Sequence, residues 1–84
     1  MTKNMIFESL VETVSAVDDD IDASVLRLDE TPFHAYGLNS LSQLRLGLKL
    51  AELYGVPFDD SDSLLAVSPL GLVTLVERRL AGAA

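Results

Sequence analysis

Apolar residues return every three or four positions from the start of the chain: Ile6, Phe7, Leu10, Val11, Val14 and Val17, with Glu8, Ser9, Glu12, Thr13 and Ser15 between them. That spacing gathers the apolar set on one face and predicts a helix over residues 5–17. Asp18, Asp19 and Asp20 come next. Three negative charges at a helix C-terminus oppose its macrodipole, so the helix should stop there. Periodicity is then lost over 18–39, a stretch that holds Pro32 and Gly37 but also Ile21, Val25, Leu26, Leu28 and Phe33. A loop with so many apolar side chains has to pack back on the rest, and a connection of this length in a small domain usually carries function. One helical turn is expected around 23–27, and Phe33 and Tyr36, three residues apart, read as core plugs.

Periodicity resumes over 40–54, where Leu41, Leu44, Leu48 and Ala51 make one stripe and Leu46, Leu50 and Leu53 a neighbouring one. So wide an apolar face predicts a helix covered on two sides. Gly55 stands where a left-handed C-terminal cap belongs, and Pro57 forbids continuation. After Asp59, Asp60 and Ser61, a short third helix is expected over 62–66. Ser68 and Pro69 then supply an N-cap and a first-turn proline for a last helix over 69–80. Its inward residues are Leu72, Val73, Val76 and Leu80, and Arg78 and Arg79 sit near its C-terminus, where positive charge is favourable. Residues 82–84 should fray. The expected architecture is a single all-α domain over 1–84, a four-helix bundle with three main helices and a short third one.

Composition narrows what such a bundle can do. A chain of 84 residues has room for a small core but not for a deep enclosed active site. With 49% hydrophobic residues and only five aromatics, the core should be aliphatic. Cysteine is absent, which excludes disulfides, thiolate metal sites and a cysteine nucleophile. A net charge of -7 repels phosphate backbones and argues against nucleic acid. No apolar run reaches the roughly 18 residues of a membrane span, and Glu8 and Glu12 interrupt any signal-peptide core. The expectation is a cytoplasmic monomer that binds neither nucleic acid nor membrane.

Candidate chemistry concentrates at Ser40, in the run Tyr36-Gly37-Leu38-Asn39-Ser40-Leu41 that opens the second helix. A serine there presents its hydroxyl outward over backbone N–H groups that have no helical partner. Serine is also favoured at helix starts for structural reasons alone. Other constellations are weaker. Asp18, Asp20, Asp22 and Asp29 fall at calcium-loop spacing, but Ala23 replaces the turn glycine and Leu26 takes the ninth position, so no metal site is expected. His34 is the only histidine. It has no glycine-x-serine-x-glycine elbow to join in a hydrolase, and no catalytic residue is assigned.

The helix pattern, the long first loop and the run Gly37-Leu38-Asn39-Ser40-Leu41 resemble the acyl carrier protein family of fatty acid, polyketide and nonribosomal peptide synthesis, over nearly the whole chain. Four of the five motif positions match the family's pattern, and Asn39 stands in place of its aspartate. The resemblance implies that Ser40 receives a 4′-phosphopantetheine arm from coenzyme A. The donor enzyme would be a magnesium-dependent phosphopantetheinyl transferase. It implies that the arm's thiol then carries the cargo as a thioester, with Asn39 and Leu41 flanking its root and apolar residues of the first loop and third helix sheltering the cargo. Implied partners are an acyltransferase or another acyl- or aminoacyl-loading enzyme, and a ketosynthase or other pathway enzymes; the protein itself would be non-catalytic.

Departures from the family pattern point to a subclass. Fatty-acid carriers place a valine-glutamate-leucine segment where this chain has Leu44-Arg45-Leu46, with Lys49 one turn on. Arg45 and Lys49 therefore reverse the usual charge on a face expected to dock partners. A single glycine before Leu38 resembles acyl rather than peptidyl carriers. The resulting expectation is a discrete polyketide or hybrid-pathway acyl carrier. The alternatives are an aminoacyl or peptidyl carrier and, outside the family, an unmodified helical interaction module.

Overall fold

In the computed structural model, which describes residues 2–82, four α-helices run in the order α1 (Lys3–Val17), α2 (Ser40–Tyr54), α3 (Asp60–Leu65) and α4 (Pro69–Gly82). There is no strand among the described residues. Helix α1 starts two residues before the expected 5, because the Thr2 hydroxyl accepts a hydrogen bond from the Met5 N–H at 3.3 Å. A cap acts on the backbone and leaves no trace in hydrophobic spacing. Helix α1 ends at Val17 and is capped by Asp18, whose N–H still bonds the Val14 carbonyl while its own backbone is extended.

Helix α3 begins at Asp60 rather than the expected 62 and ends at Leu65. Its start is fixed by a reciprocal capping box: the Asp59 carboxylate accepts from the Asp62 N–H at 2.8 Å, and the Asp62 carboxylate accepts from the Asp59 N–H at 3.1 Å. Helix α4 begins at Pro69, and the Ser68 hydroxyl accepts from the Gly71 N–H at 3.1 Å. It continues two residues beyond the expected end at 80, since Ala81 favours helix and no proline interrupts it. Gly82, expected to fray, is helical; Ala83 and Ala84 lie outside the described residues.

Antiparallel packing of α1 against its neighbours is set by its end contacts. Near its start, Ser9 hydrogen-bonds the Tyr54 hydroxyl at the end of α2, and Lys3 pairs with Glu77 in the second half of α4. At its finish, Asp18 accepts a hydrogen bond from Ser42 in the first turn of α2. Between the three long helices lies an aliphatic core with Ile6, Leu10 and Val14 from α1, Leu46 and Leu50 from α2, and Leu72, Val73 and Val76 from α4. Each such side chain contributes on the order of 1.5–3 kcal/mol by leaving water.

The first loop completes this core. Leu26, Phe33 and Leu38 are buried in it, and the loop contains two 3-10 turns, at Ala23–Val25 and Phe33–Tyr36. Phe33 is fully buried, whereas Tyr36 only packs at the core's edge. Two backbone bonds pin the loop to the approach to α4: Phe33 N–H to the Val67 carbonyl at 2.7 Å and Leu70 N–H to the Asp29 carbonyl at 3.0 Å.

Helix α2 differs from its sequence reading. Its buried face is Leu46, Gly47, Leu50 and Ala51, while Leu41 and Leu53 are 55% and 61% exposed. The apolar face looked wide enough for neighbours on two sides, but the second neighbour, α3, is a single short helix. It packs where α2 has no side chain. A Cβ built on Gly47 would stand 1.9 Å from the Ser63 hydroxyl oxygen and 3.1 Å from the Ser63 Cα. Through this gap Ser63 donates its hydroxyl proton to the Leu44 carbonyl at 2.9 Å, with the Gln43 carbonyl at 3.1 Å. Gln43 returns donors to the carbonyls of Leu64 at 3.0 Å and Ser63 at 3.3 Å. Arg79 of α4 closes the other end of α3, bonding the Asp62 carboxylate at 3.0 Å and 3.2 Å and the Pro57 carbonyl at 2.8 Å.

Gly47→Ala should therefore destabilise the protein by about 1–3 kcal/mol in urea unfolding, the usual range for overpacking. Acid should loosen α3 in its own way. The Asp59 backbone N–H and then Arg79 hold the Asp62 carboxyl below its ordinary value. Its stabilising effect is complete above the unfolded carboxylate range, near about pH 4, and is lost as pH falls through the lower folded value. Asp62→Asn should lower stability at neutral pH and narrow the difference between neutral and acid melting curves, as read by circular dichroism.

Candidate functional site

Leu38 is buried in the core, and Ser40, two residues on, is exposed. Gly37 makes this turn, with φ 94°, in the left-handed region that favours glycine, and its N–H bonds the His34 carbonyl to close the preceding 3-10 turn. Leu38 then enters the core, while Asn39, Ser40 and Leu41 face solvent.

Asn39 is the N-cap of α2. Its backbone is extended, and its side-chain oxygen accepts from the Ser42 N–H at 2.8 Å; the Gln43 N–H bonds its carbonyl at 2.9 Å. Helix geometry leaves the N–H groups of Ser40 and Leu41 without an intrahelical acceptor. Ser40 is thus an exposed primary hydroxyl on the first helical residue, among donors oriented outward and at the positive end of the helix dipole. An anionic group joined to that oxygen would meet both.

Neighbouring elements hold this helix start in place. The Ser42 hydroxyl donates to the Asp18 carboxylate at 3.2 Å, tying the end of α1 to the first turn of α2. Gln43, one turn from Ser40, holds the C-terminal end of α3. Sequence reasoning took Asp18 as a helix stop and as one of the calcium-spaced acids, and did not assign Ser42 or Gln43 a role. The partners are 24 and about 20 residues apart, and no local pattern marks such pairs.

The other sequence candidates fall apart in space or find ordinary roles. His34 is exposed and makes no side-chain hydrogen bond among the described residues, to Ser40 or to anything else. Asp22, one of the calcium-spaced residues, instead caps its own turn: the Ser24 hydroxyl and N–H bond its carboxylate at 2.6 Å and 3.0 Å and hold its pKa below the ordinary value. Asp18, Asp19 and Asp20 bring carboxylate oxygens within 4.8 Å of one another, and Asp18 also accepts from the Asp20 N–H. Arg45 and Lys49 lie exposed on α2, one and two turns beyond Leu41.

Two hollows border these elements. One of about 480 Å³ lies between α3 and α4, where Leu65, Ala66, Leu70 and Leu75 supply apolar wall and Glu30, Thr74 and Arg78 supply polar groups. The other, of about 370 Å³, runs between the end of α1 and the outer face of α2.

Residues 8–76 match the family described as the phosphopantetheine attachment site. The fold is similar to that of the solution structure of the 3,7-dioxo-octyl actinorhodin acyl carrier protein from Streptomyces coelicolor. The TM-score is 0.73 and the identity 30%, over 99% of this chain and 94% of that one. No curated protein matches the sequence.

Capping by Asn39 has a measurable weight. Asn39→Ala should cost about 1 kcal/mol in urea unfolding, and Asn39→Asp should keep the wild-type value because aspartate caps equally well.

Proposed function

The chain belongs to the phosphopantetheine-attachment family of carrier proteins, and on that premise we propose that Ser40 is the residue that bears its 4′-phosphopantetheine. The observation that carries the assignment is the exposed Ser40 hydroxyl on the first residue of α2, inside Gly37-Leu38-Asn39-Ser40-Leu41. A convex position lets another enzyme's active site reach the hydroxyl without unfolding the carrier. The residues present fit the group: the free N–H groups of Ser40 and Leu41 suit a phosphodiester, and Leu41 offers apolar surface to the base of a flexible arm. When bound, the arm supplies a thiol that holds an acyl group as a thioester, a function this cysteine-free chain has no side chain to perform.

Ser40 needs no neighbouring base for this role. Activation of its hydroxyl falls to a separate phosphopantetheinyl transferase that draws the arm from coenzyme A, and the carrier's contribution is a fixed, accessible address. Asn39 sets that address by holding the first turn of α2, and Leu38 anchors the turn from below. The protein is read as non-catalytic, acting in the cytoplasm, where coenzyme A is available.

The cargo is proposed to be a polyketide-type acyl chain. Support comes from the similarity to the actinorhodin carrier, whose described form bears a 3,7-dioxo-octyl group, and from the single glycine ahead of Leu38. The hollow between α3 and α4 suits such a chain, with apolar wall for methylene groups and Thr74 and Arg78 as donors for keto oxygens. Working partners on this reading are a loading acyltransferase and a ketosynthase.

Incubation with coenzyme A, magnesium and a promiscuous phosphopantetheinyl transferase should add the mass of one phosphopantetheine, read by intact mass spectrometry. Ser40→Ala should gain none. An unmodified wild-type chain, or equal labelling of the variant, would return the protein to the class of helical interaction modules.

A further inference from the structure

A chain carried on an arm at Ser40 could reach the apolar interior along the seam between α2 and α3, or rest in the hollow between α3 and α4. The seam is the shorter way in, because the α2 residues next to Gly47 on its buried face, Leu46 and Leu50, are fully buried. Hydrocarbon can enter only where walls part without stranding polar groups. This seam is stitched by such groups. Ser63, 1% exposed, donates to the Leu44 carbonyl at 2.9 Å with the Gln43 carbonyl at 3.1 Å. The Gln43 amide crosses the other way, to the carbonyls of Leu64 at 3.0 Å and Ser63 at 3.3 Å.

Parting the seam would leave the Ser63 hydroxyl and the Gln43 amide facing hydrocarbon without partners, which is costly. Swinging α3 aside as a unit is opposed at its other end. There Arg79 bonds Asp62 at 3.0 Å and the Pro57 carbonyl at 2.8 Å, and its guanidinium lies 5.7 Å from the centre of the Phe58 ring. Gln43 follows Ser40 by three residues, about 4.5 Å along the helix axis, so the closure sits at the Ser40 end of the seam. The hollow between α3 and α4 is built otherwise. Leu65, Leu70 and Leu75 wall it, Thr74 and Arg78 add donors, and its lining includes no residue of α2. A chain resting there leaves every bond across the seam intact.

We propose that Gln43 and Ser63 are specificity-determining residues that close the α2–α3 seam to hydrocarbon, so that an acyl chain on the arm stays outside it. The inference rests on Ser40 as the attachment residue and deepens the polyketide-type reading. A chain bearing keto oxygens finds donors at Thr74, at Arg78 and in solvent, whereas a saturated chain of equal length gains no enclosure. Its thioester then stays open to small nucleophiles.

The test transfers octanoyl-phosphopantetheine from octanoyl coenzyme A, with loading confirmed by intact mass. In carbon-13-labelled protein, nuclear Overhauser contacts from the octanoyl protons should be confined to the methyls of Leu65, Leu70 and Leu75 and should exclude those of Leu46 and Leu50. The double variant Gln43→Ala, Ser63→Ala removes both polar groups, leaves Gly47 in place and should bring contacts to Leu46 and Leu50. It should also slow cleavage of the octanoyl thioester by hydroxylamine at least about threefold, since burying even one methylene favours the enclosed state by roughly that factor. Gln43→Ala alone alters a half-buried surface residue and carries the test if the double variant does not fold; it should shift both readouts the same way by less. Contacts to Leu46 or Leu50 in the unsubstituted protein overturn the proposal, as does a folded variant whose thioester is cleaved at the wild-type rate. Failure to load at Ser40 shows earlier, in the mass, and overturns the attachment residue and this inference with it; failure of the closure shows only in a protein already loaded.

Discussion

At the crossing of α2 and α3, the Ser63 side chain fills the space that any residue with a Cβ at position 47 would need. A six-residue helix is too short to persist alone, since one or two turns do not repay the entropy of nucleation. Helix α3 exists because it is held at several points. Asp59 and Asp62 cap its start, Arg79 binds Asp62 from α4, Ser63 reaches the α2 carbonyls, and Gln43 binds its last carbonyls. The Gly47 gap brings the two backbones close enough for the last two sets of bonds.

That contact shapes the surface around Ser40. Because α3 lies against Gly47, it leaves the flank of α2 that carries Leu41, Arg45 and Lys49 open to solvent. Gln43, one turn from the helix start, holds the last carbonyls of α3, and Leu65 at the end of that helix lines the hollow between α3 and α4. On the other side, Asp18 binds Ser42 and fixes the first turn of α2 against the end of α1. Ser40 is therefore held by its own helix and, through Ser42 and Gln43, by the neighbours of that helix.

Charge is arranged on the same plan. The first loop gathers Asp18, Asp19, Asp20, Asp22, Asp29 and Glu30, yet several of these acids serve the backbone as turn and cap acceptors. Asp29 illustrates this: hydrogen bonds from Thr31 are the main reason its carboxyl stays below its ordinary pKa. The loop is thus an acidic surface built on local geometry, and the helix after it presents Arg45 and Lys49, which make no salt bridge among the described residues.

The sequence by itself determined the three long helices, the cap at Ser68, the left-handed Gly55 and the placement of Ser40 at a helix start, because these depend on periodicity and on residues within one turn of each other. It also carried the family, through five consecutive residues and their position in the chain. Only the tertiary structure decided which leucines of α2 are buried, since Leu41 and Leu53 have the same apolar character as Leu46 and Leu50 and differ only in the elements opposite them. It likewise decided the start of α3, the path of the first loop through Phe33 and Val67, and the tie between Asp18 and Ser42. The loop path and the Asp18 tie join residues some 20 to 40 positions apart, and a partner at that distance leaves no periodic mark on either side of the pair.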